Sequence, residues 1–216
     1  MISLKNNFVF IHVPKTGGNS FQLAIAAHSD DNLQKTLFHH DLKDRFEVAG
    51  KITGHKHFTA EEYVSAIGLE KFMSLRKVTF VRNPFDRVMS YYFSPHRWLV
   101  GSGFSPENVD YRLDKDEFFR FVTDVPTATS YLTVNGKLVD FDFIGRFENF
   151  ESDFRRALDF CGIPAGDTVP HANRGKGQKL SSFDDDIARA IVERFEEDFV
   201  NFGYERELER VVGYAQ

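Results

Sequence analysis

From residue 8 the chain reads Phe-Val-Phe-Ile-His-Val before Pro14, apolar throughout except at His12. A short continuous run of this kind suits a strand covered on both faces, and Pro14 ends it because proline lacks an amide donor and fixes its own φ. Gly17 and Gly18 then permit a tight turn, and Asn19-Ser20 leads into Phe-Gln-Leu-Ala-Ile-Ala-Ala, the opening of a helix. The same order of strand, turn and helix recurs at Val78 to Val81, where Asn83-Pro84 breaks the strand and Asp86 suits the first turn of a helix. Between these units, Val48 to Thr53 predicts a short strand ending at Gly54-His55-Lys56-His57. Thr59-Ala-Glu-Glu62 is a capping box that opens a helix through Tyr63, Val64 and Ile67.

Residues 94 to 112 are rich in Gly, Ser, Pro and Asn and predict a long loop. Asp114-Lys-Asp-Glu117 is a second capping-box pattern, with Phe118, Phe121 and Val122 on one side of its helix. Val139 to Phe147 reads as a strand. Phe150, Phe154 and Leu158 then mark one face of a helix that stops at Gly162. A last long helix is predicted from Asp184, with Ile187, Ile191, Phe195 and Phe199 as its stripe. Strands alternating with helices predict an α/β fold, a P-loop-like, mainly parallel sheet flanked by helices on both faces. A chain of 216 residues suits a single domain over 1–216.

Composition narrows the function. A net charge of −5 argues against a nucleic-acid partner, which needs a broad basic face. Basic residues still gather near the two turns and in one later segment: Lys15, Arg82, Arg87, Arg174, Lys176 and Lys179. The 24 phenylalanines read mainly as core. Cys161, the lone cysteine, excludes an internal disulfide and reads as inert packing. The chain shows no basic segment followed by a cleavable apolar run, and no apolar run approaches the ~20 residues of a membrane span, so neither a signal peptide nor a span is expected.

The turn at 14–20 has the parts of an anion site: helix amides that face outward, glycines that let a ligand approach, and the charge of Lys15. Its lysine precedes the glycines, unlike G-x-x-x-x-G-K-[ST], and Gly17-Gly18 is not G-x-G-x-x-G. By itself the segment also reads as a plain strand-to-helix connection. Arg82, at a strand's carboxyl end, and Ser90, about two helical turns on, are placed to hold one phosphate from two sides. His55 and His57 are candidate bases because histidine titrates near neutrality. His12 reads as packing, His39-His40 as surface, and no residues form a convincing metal site. Trp98 offers a flat apolar face and Arg97 a forked donor for a sugar or an acidic group.

Together, Pro14 to Ser20 and Arg82 to Ser90 resemble the sulfotransferases that use 3′-phosphoadenosine 5′-phosphosulfate (PAPS), especially the carbohydrate O-sulfotransferases and their bacterial relatives. The resemblance continues through Ile144-Gly-Arg-Phe-Glu-Asn-Phe150, Pro170-His-Ala-Asn-Arg174 and Asp198-Phe-Val-Asn-Phe-Gly-Tyr204. It implies that Pro14, Lys15, Thr16, Gly17, Gly18, Asn19 and Ser20 hold the 5′-phosphosulfate. It further implies that Arg82 and Ser90 hold the 3′-phosphate, and that Asn173 and Arg174 lie in a late loop touching cosubstrate or acceptor. The family's Gly-His base maps best onto Gly54-His55, while spacing leaves His57 open. The implied reaction moves a sulfuryl group from PAPS to a hydroxyl acceptor, a saccharide, releasing 3′-phosphoadenosine 5′-phosphate (PAP) without a metal. Animal Golgi members carry a membrane anchor that this sequence lacks, so a cytoplasmic location is expected. Two other readings stay open: another P-loop transferase such as a small-molecule kinase, and a non-catalytic nucleotide- or glycan-binding protein of the same fold.

Overall fold

A computed structural model describes residues 1–35, 46–94, 113–164 and 185–207. In chain order its strands are β1 (Ile2–Ser3), β2 (Phe8–Ile11), β3 (Asn32–Lys35), β4 (Phe46–Ala49), β5 (Arg76–Val81), β6 (Thr133–Val134), β7 (Lys137–Leu138) and β8 (Phe143–Arg146). The helices are α1 (Gly18–Ile25), α2 (Ala60–Ile67), α3 (Leu69–Ser74), α4 (Pro84–Tyr92), α5 (Lys115–Asp124), α6 (Ala128–Tyr131), α7 (Phe150–Phe160), α8 (Asp185–Arg194) and α9 (Glu196–Phe202). They fall into two compact units, Met1–Val81 with Ala128–Arg174, and Arg82–Thr127 with Gly175–Gln216. Among the described residues, no helix is long and apolar enough to cross a membrane.

The first unit carries a mixed α/β arrangement around a sheet ordered β1-β2-β5-β8. β2, β5 and β8 are parallel and β1 is antiparallel at the edge, so the sheet is mainly parallel as the alternating elements predict. Phe8 to Ile11 are all fully buried, as their unbroken apolar run requires. Phe10 meets Phe21 of α1 at 4.7 Å between ring centroids, and Phe21 meets Phe80 at 5.2 Å and Phe154 of α7 at 5.6 Å. One aromatic cluster thus joins both central strands to both helices. Phe80 pairs in register with Gly145, where an added Cβ would lie 2.6 Å from its Cδ1. The neighbouring strand leaves out a side chain to make room for the ring.

The capping box is formed in full at α2: Thr59 Oγ1 accepts from the Glu62 amide at 3.2 Å, and Glu62 Oε2 accepts from the Thr59 amide at 2.7 Å. Three expectations change. The strand expected at Val48 to Thr53 is instead β4, ending at Ala49 and pairing antiparallel with β3 outside the main sheet. Polar contacts claim the residues after it. Gly50 N donates to Thr53 O at 3.1 Å, and Thr53 Oγ1 donates to the buried Asp31 carboxylate at 2.8 Å. The strand expected from Val139 to Phe147 shrinks to Phe143–Arg146: the amide of Val139 donates to Leu132 O at 3.0 Å, continuing the pairing of the hairpin turned by Asn135 (φ 51°) and Gly136 (φ 71°), and Phe147 opens a 3-10 turn. The last helix divides at Phe195, whose φ −111° and ψ 24° leave the helical region, and Glu196, Glu197 and Asp198 favour a new N-terminus there. Its stripe of Ile187, Ile191, Phe195 and Phe199 is nevertheless wholly buried.

The second unit closes α4, α5, α8 and α9 around Phe85, Val88, Tyr92, Phe118, Val122 and that stripe. Arg87, grouped by sequence with the phosphate-side cations, is instead a core group with no exposed surface. Its Nη2 donates to Pro126 O at 2.8 Å, and Nη1 lies 3.8 Å from the buried Asp198 carboxylate. Replacing Asp198 by Ala removes the countercharge from a buried guanidinium and is expected to cost about 3–5 kcal/mol. Urea unfolding checks this: the midpoint should fall with the m-value unchanged.

Candidate active site

β2 delivers the chain into a turn with two left-handed residues, Lys15 at φ 72° and Gly17 at φ 82°. Glycine adopts that region freely, whereas for a lysine it costs about 1–2 kcal/mol. The surroundings fix it there. Thr16 is fully buried and its hydroxyl donates to Val13 O at 2.8 Å, while Ser20 N donates to Gly17 O at 3.0 Å. Strain of this kind persists where neighbouring structure over-determines it, and here it fixes the backbone of the turn's cation.

The first turn of α1 has no side-chain cap and no acidic residue, so the positive end of the helix is not offset by its own side chains. Space requires both glycines. A Cβ at Gly17 would lie 2.5 Å from Phe150 Cε2, and one at Gly18 would lie 2.7 Å from His12 Cγ and nearer still to other ring atoms. Asn19 Oδ1 is buried with no hydrogen-bond partner among the described residues, leaving an unmet polar group in the helix's first turn. A backbone turn rich in glycine, an uncapped helix start and a half-buried lysine suit an anion.

His12 is the hinge of this site. Its ring lies over Gly18 and its Nδ1 is 2.9 Å from Gln22 Oε1, one helical turn along α1. Gln22 is itself fully buried and its Nε2 donates to Lys56 O at 3.0 Å. His57 is tied to the same point, with Nδ1 donating to His12 O at 3.0 Å and its ring centroid 4.3 Å from that of His12. Burial, then the neighbouring His57 and Lys56, hold the His12 imidazole well below the ordinary histidine pKa.

His55 takes a different position. It is exposed, its Nε2 is 3.1 Å from Glu62 Oε1, and its ring stands edge-on to Phe58 at 5.4 Å. Burial raises the Glu62 carboxyl, but bonds from Thr59 and the His55 ring outweigh it and hold the group below its usual range. Of the two histidines, His57 is therefore the one brought against His12 at the glycine turn. In the second unit, Arg82 follows directly on β5, Asn83 caps α4 by accepting from the Phe85 amide at 3.0 Å, and Ser90 lies half-buried on that helix. Arg97, Trp98, Asn173 and Arg174 lie outside the described residues. Sequence reasoning passed over Gln22. Its signal was a polar residue within the buried stripe Gly18, Phe21, Gln22 and Ile25, where spacing predicts an apolar one.

A model of the sulfotransferase family matches residues 1–205. The chain belongs to the sulfotransferase family. No curated protein and no solved structure matches it. The family match runs through both compact units and contains the glycine turn, the histidine segment, Arg82 and Ser90. Membership supports a transferase reaction, the movement of a sulfuryl group.

The state of His12 has a consequence for stability. Below the ordinary histidine pKa of about 6.5, the unfolded chain takes up a proton that the folded protein refuses. Stability is therefore expected to fall on acidification from about pH 6.5, by up to about 1.4 kcal/mol per pH unit for this one group. Urea unfolding at stepped pH measures the slope, which His12→Gln should flatten whatever its absolute stability.

Proposed function

We propose that the protein transfers a sulfuryl group from PAPS to a hydroxyl of an acceptor, with a saccharide as the acceptor class. The observation that carries this reading is the turn at 15–18, where a strained lysine and an open helix start lie beside the paired rings of His12 and His57. Residues 14–20 hold the 5′-phosphosulfate, Arg82 and Ser90 hold the 3′-phosphate, and Asn173 and Arg174 add contacts. Arg97 and Trp98 meet the acceptor. The whole chain serves as one sulfotransferase domain, working in the cytoplasm.

In this reaction the acceptor oxygen forms a bond to sulfur, the sulfur's bond to the bridging phosphate oxygen breaks, and the acceptor proton passes to a base. Lys15 neutralises charge growing on the departing phosphate oxygen, where a preorganised cation acts most strongly. His57 is the base. Its Nδ1–H is committed to a backbone carbonyl, so Nε2 is the proton-accepting atom in the neutral ring. The position of its ring beside His12, which overlies Gly18, supports this role over His55, whose ring is turned to Glu62. The scheme requires no metal.

Incubation with PAPS and a panel of saccharides, lipids and small alcohols, read by the mass of an added sulfate, tests the activity itself. PAP is expected to raise the melting temperature more than ADP, which lacks the 3′-phosphate. Arg82→Ala should weaken PAP about ten- to a hundredfold, the loss of one charge-assisted contact. Equal stabilisation by the two nucleotides would remove PAPS from the reading.

The turn and the base are separated by rate. Lys15→Ala should lower turnover about 10²–10³-fold, as loss of a transition-state donor does. His57→Ala should lower it about 10²–10⁴-fold with PAP binding preserved, and His55→Ala should act more mildly. Collapse in His55→Ala beside a near-normal His57→Ala would reverse the assignment.

A further inference from the structure

Two backbone carbonyls dictate the protonation pattern of the histidine pair. Lys56 O can only accept, so the Gln22 atom 3.0 Å from it is the amide nitrogen, and the atom 2.9 Å from His12 Nδ1 is the amide oxygen. An amide oxygen also only accepts, so Nδ1 of His12 carries a proton. His12 O in turn accepts from Nδ1 of His57 at 3.0 Å. Both rings are thus held as Nδ1–H forms, and the Gln22 amide spans the gap between α1 and the segment carrying His57. The side chain is fully buried, so water cannot replace either bond without opening the site.

We propose that Gln22 is a positioning residue of the sulfuryl-transfer site: its amide links the Lys56 carbonyl to the His12 ring, setting the His12 tautomer and holding His57 against the glycine turn. This rests on the reading of His57 as base. Charged or titratable groups facing His12 are His57 and Lys56 from the 54–58 segment and the Met1 amino group. None lies on α1, which supplies the neutral amide of Gln22. A glutamate there would add a negative charge and remove the donor to Lys56 O, so an amide is the group that meets both neighbours.

Gln22→Met keeps the length and bulk of the side chain and removes both hydrogen bonds. In protein with 15N-labelled histidine, the wild-type His12 should show a protonated Nδ1 and an unprotonated Nε2 at neutral pH. In Gln22→Met that signature should collapse toward a mixture of tautomers. Turnover, read as release of sulfate from PAPS to water so that no acceptor need be known, should fall about 10²-fold, as for displaced reacting groups. The dissociation constant of PAP should stay unchanged, which separates misplacement from a damaged fold. Gln22→Glu should not rescue the rate, because it cannot donate to Lys56 O.

A His12 tautomer unmoved by Gln22→Met overturns the proposal whether or not transfer is observed, as does a lost tautomer with wild-type turnover. Full turnover in His57→Ala defeats the base assignment instead, and with it the catalytic half of the proposal, while the nitrogen spectra still decide whether Gln22 sets the tautomer.

Discussion

The imidazole of His12 occupies the space that any side chain at position 18 would need, and the rest of the site is arranged around that contact. Because residue 18 is glycine, the end of β2 and the start of α1 approach until a ring at one rests on the backbone of the other. The same residue offers its carbonyl to His57, and its ring is bonded to an amide that reaches Lys56. Strand end, helix start and histidine segment therefore share one point of attachment. A buried imidazole is tolerable there because it is hydrogen-bonded and uncharged, which avoids the cost of burying an unpaired cation.

The turn is also fixed from its other side. Phe150 stands where a side chain at Gly17 would be, and its ring packs at 5.6 Å from Phe80 and 5.5 Å from Phe154. Phe80 in turn fills the space left by Gly145. Rings seated over glycines connect the backbone of the glycine turn to the main core without a charged group in between. Because close-packed interiors transmit displacement, a core change at Phe80 or Phe150 would reach the turn that carries Lys15.

Local signals in the sequence carried much of the fold. The run at Phe8, the capping box at Thr59 and the stripes of α5 and α7 each follow from residue order within one element, and the structure contains each. Readings failed where distant partners decided. Thr53 leaves the expected strand because Asp31 bonds its hydroxyl, a contact spanning residues far apart in the chain. The hairpin at Asn135-Gly136 is a local turn that the reading of a strand from Val139 did not include. At the site, the chemistry of Lys15 and the histidines was visible as residue type. The direction of His57 toward His12, and of His55 toward Glu62, depends on how residues 54–58 lie against β2 and α2, which spacing does not encode.

The left-handed lysine sets backbone strain against a charged side chain at a single position. A library of variants selected only for resistance to heat would favour glycine at 15, since glycine holds that backbone without strain. The selected protein would keep its turn, its helix start and its core, and would lose the cation. On the role proposed for Lys15, glycine at this position would leave the backbone of the turn intact and the departing phosphate without its cation.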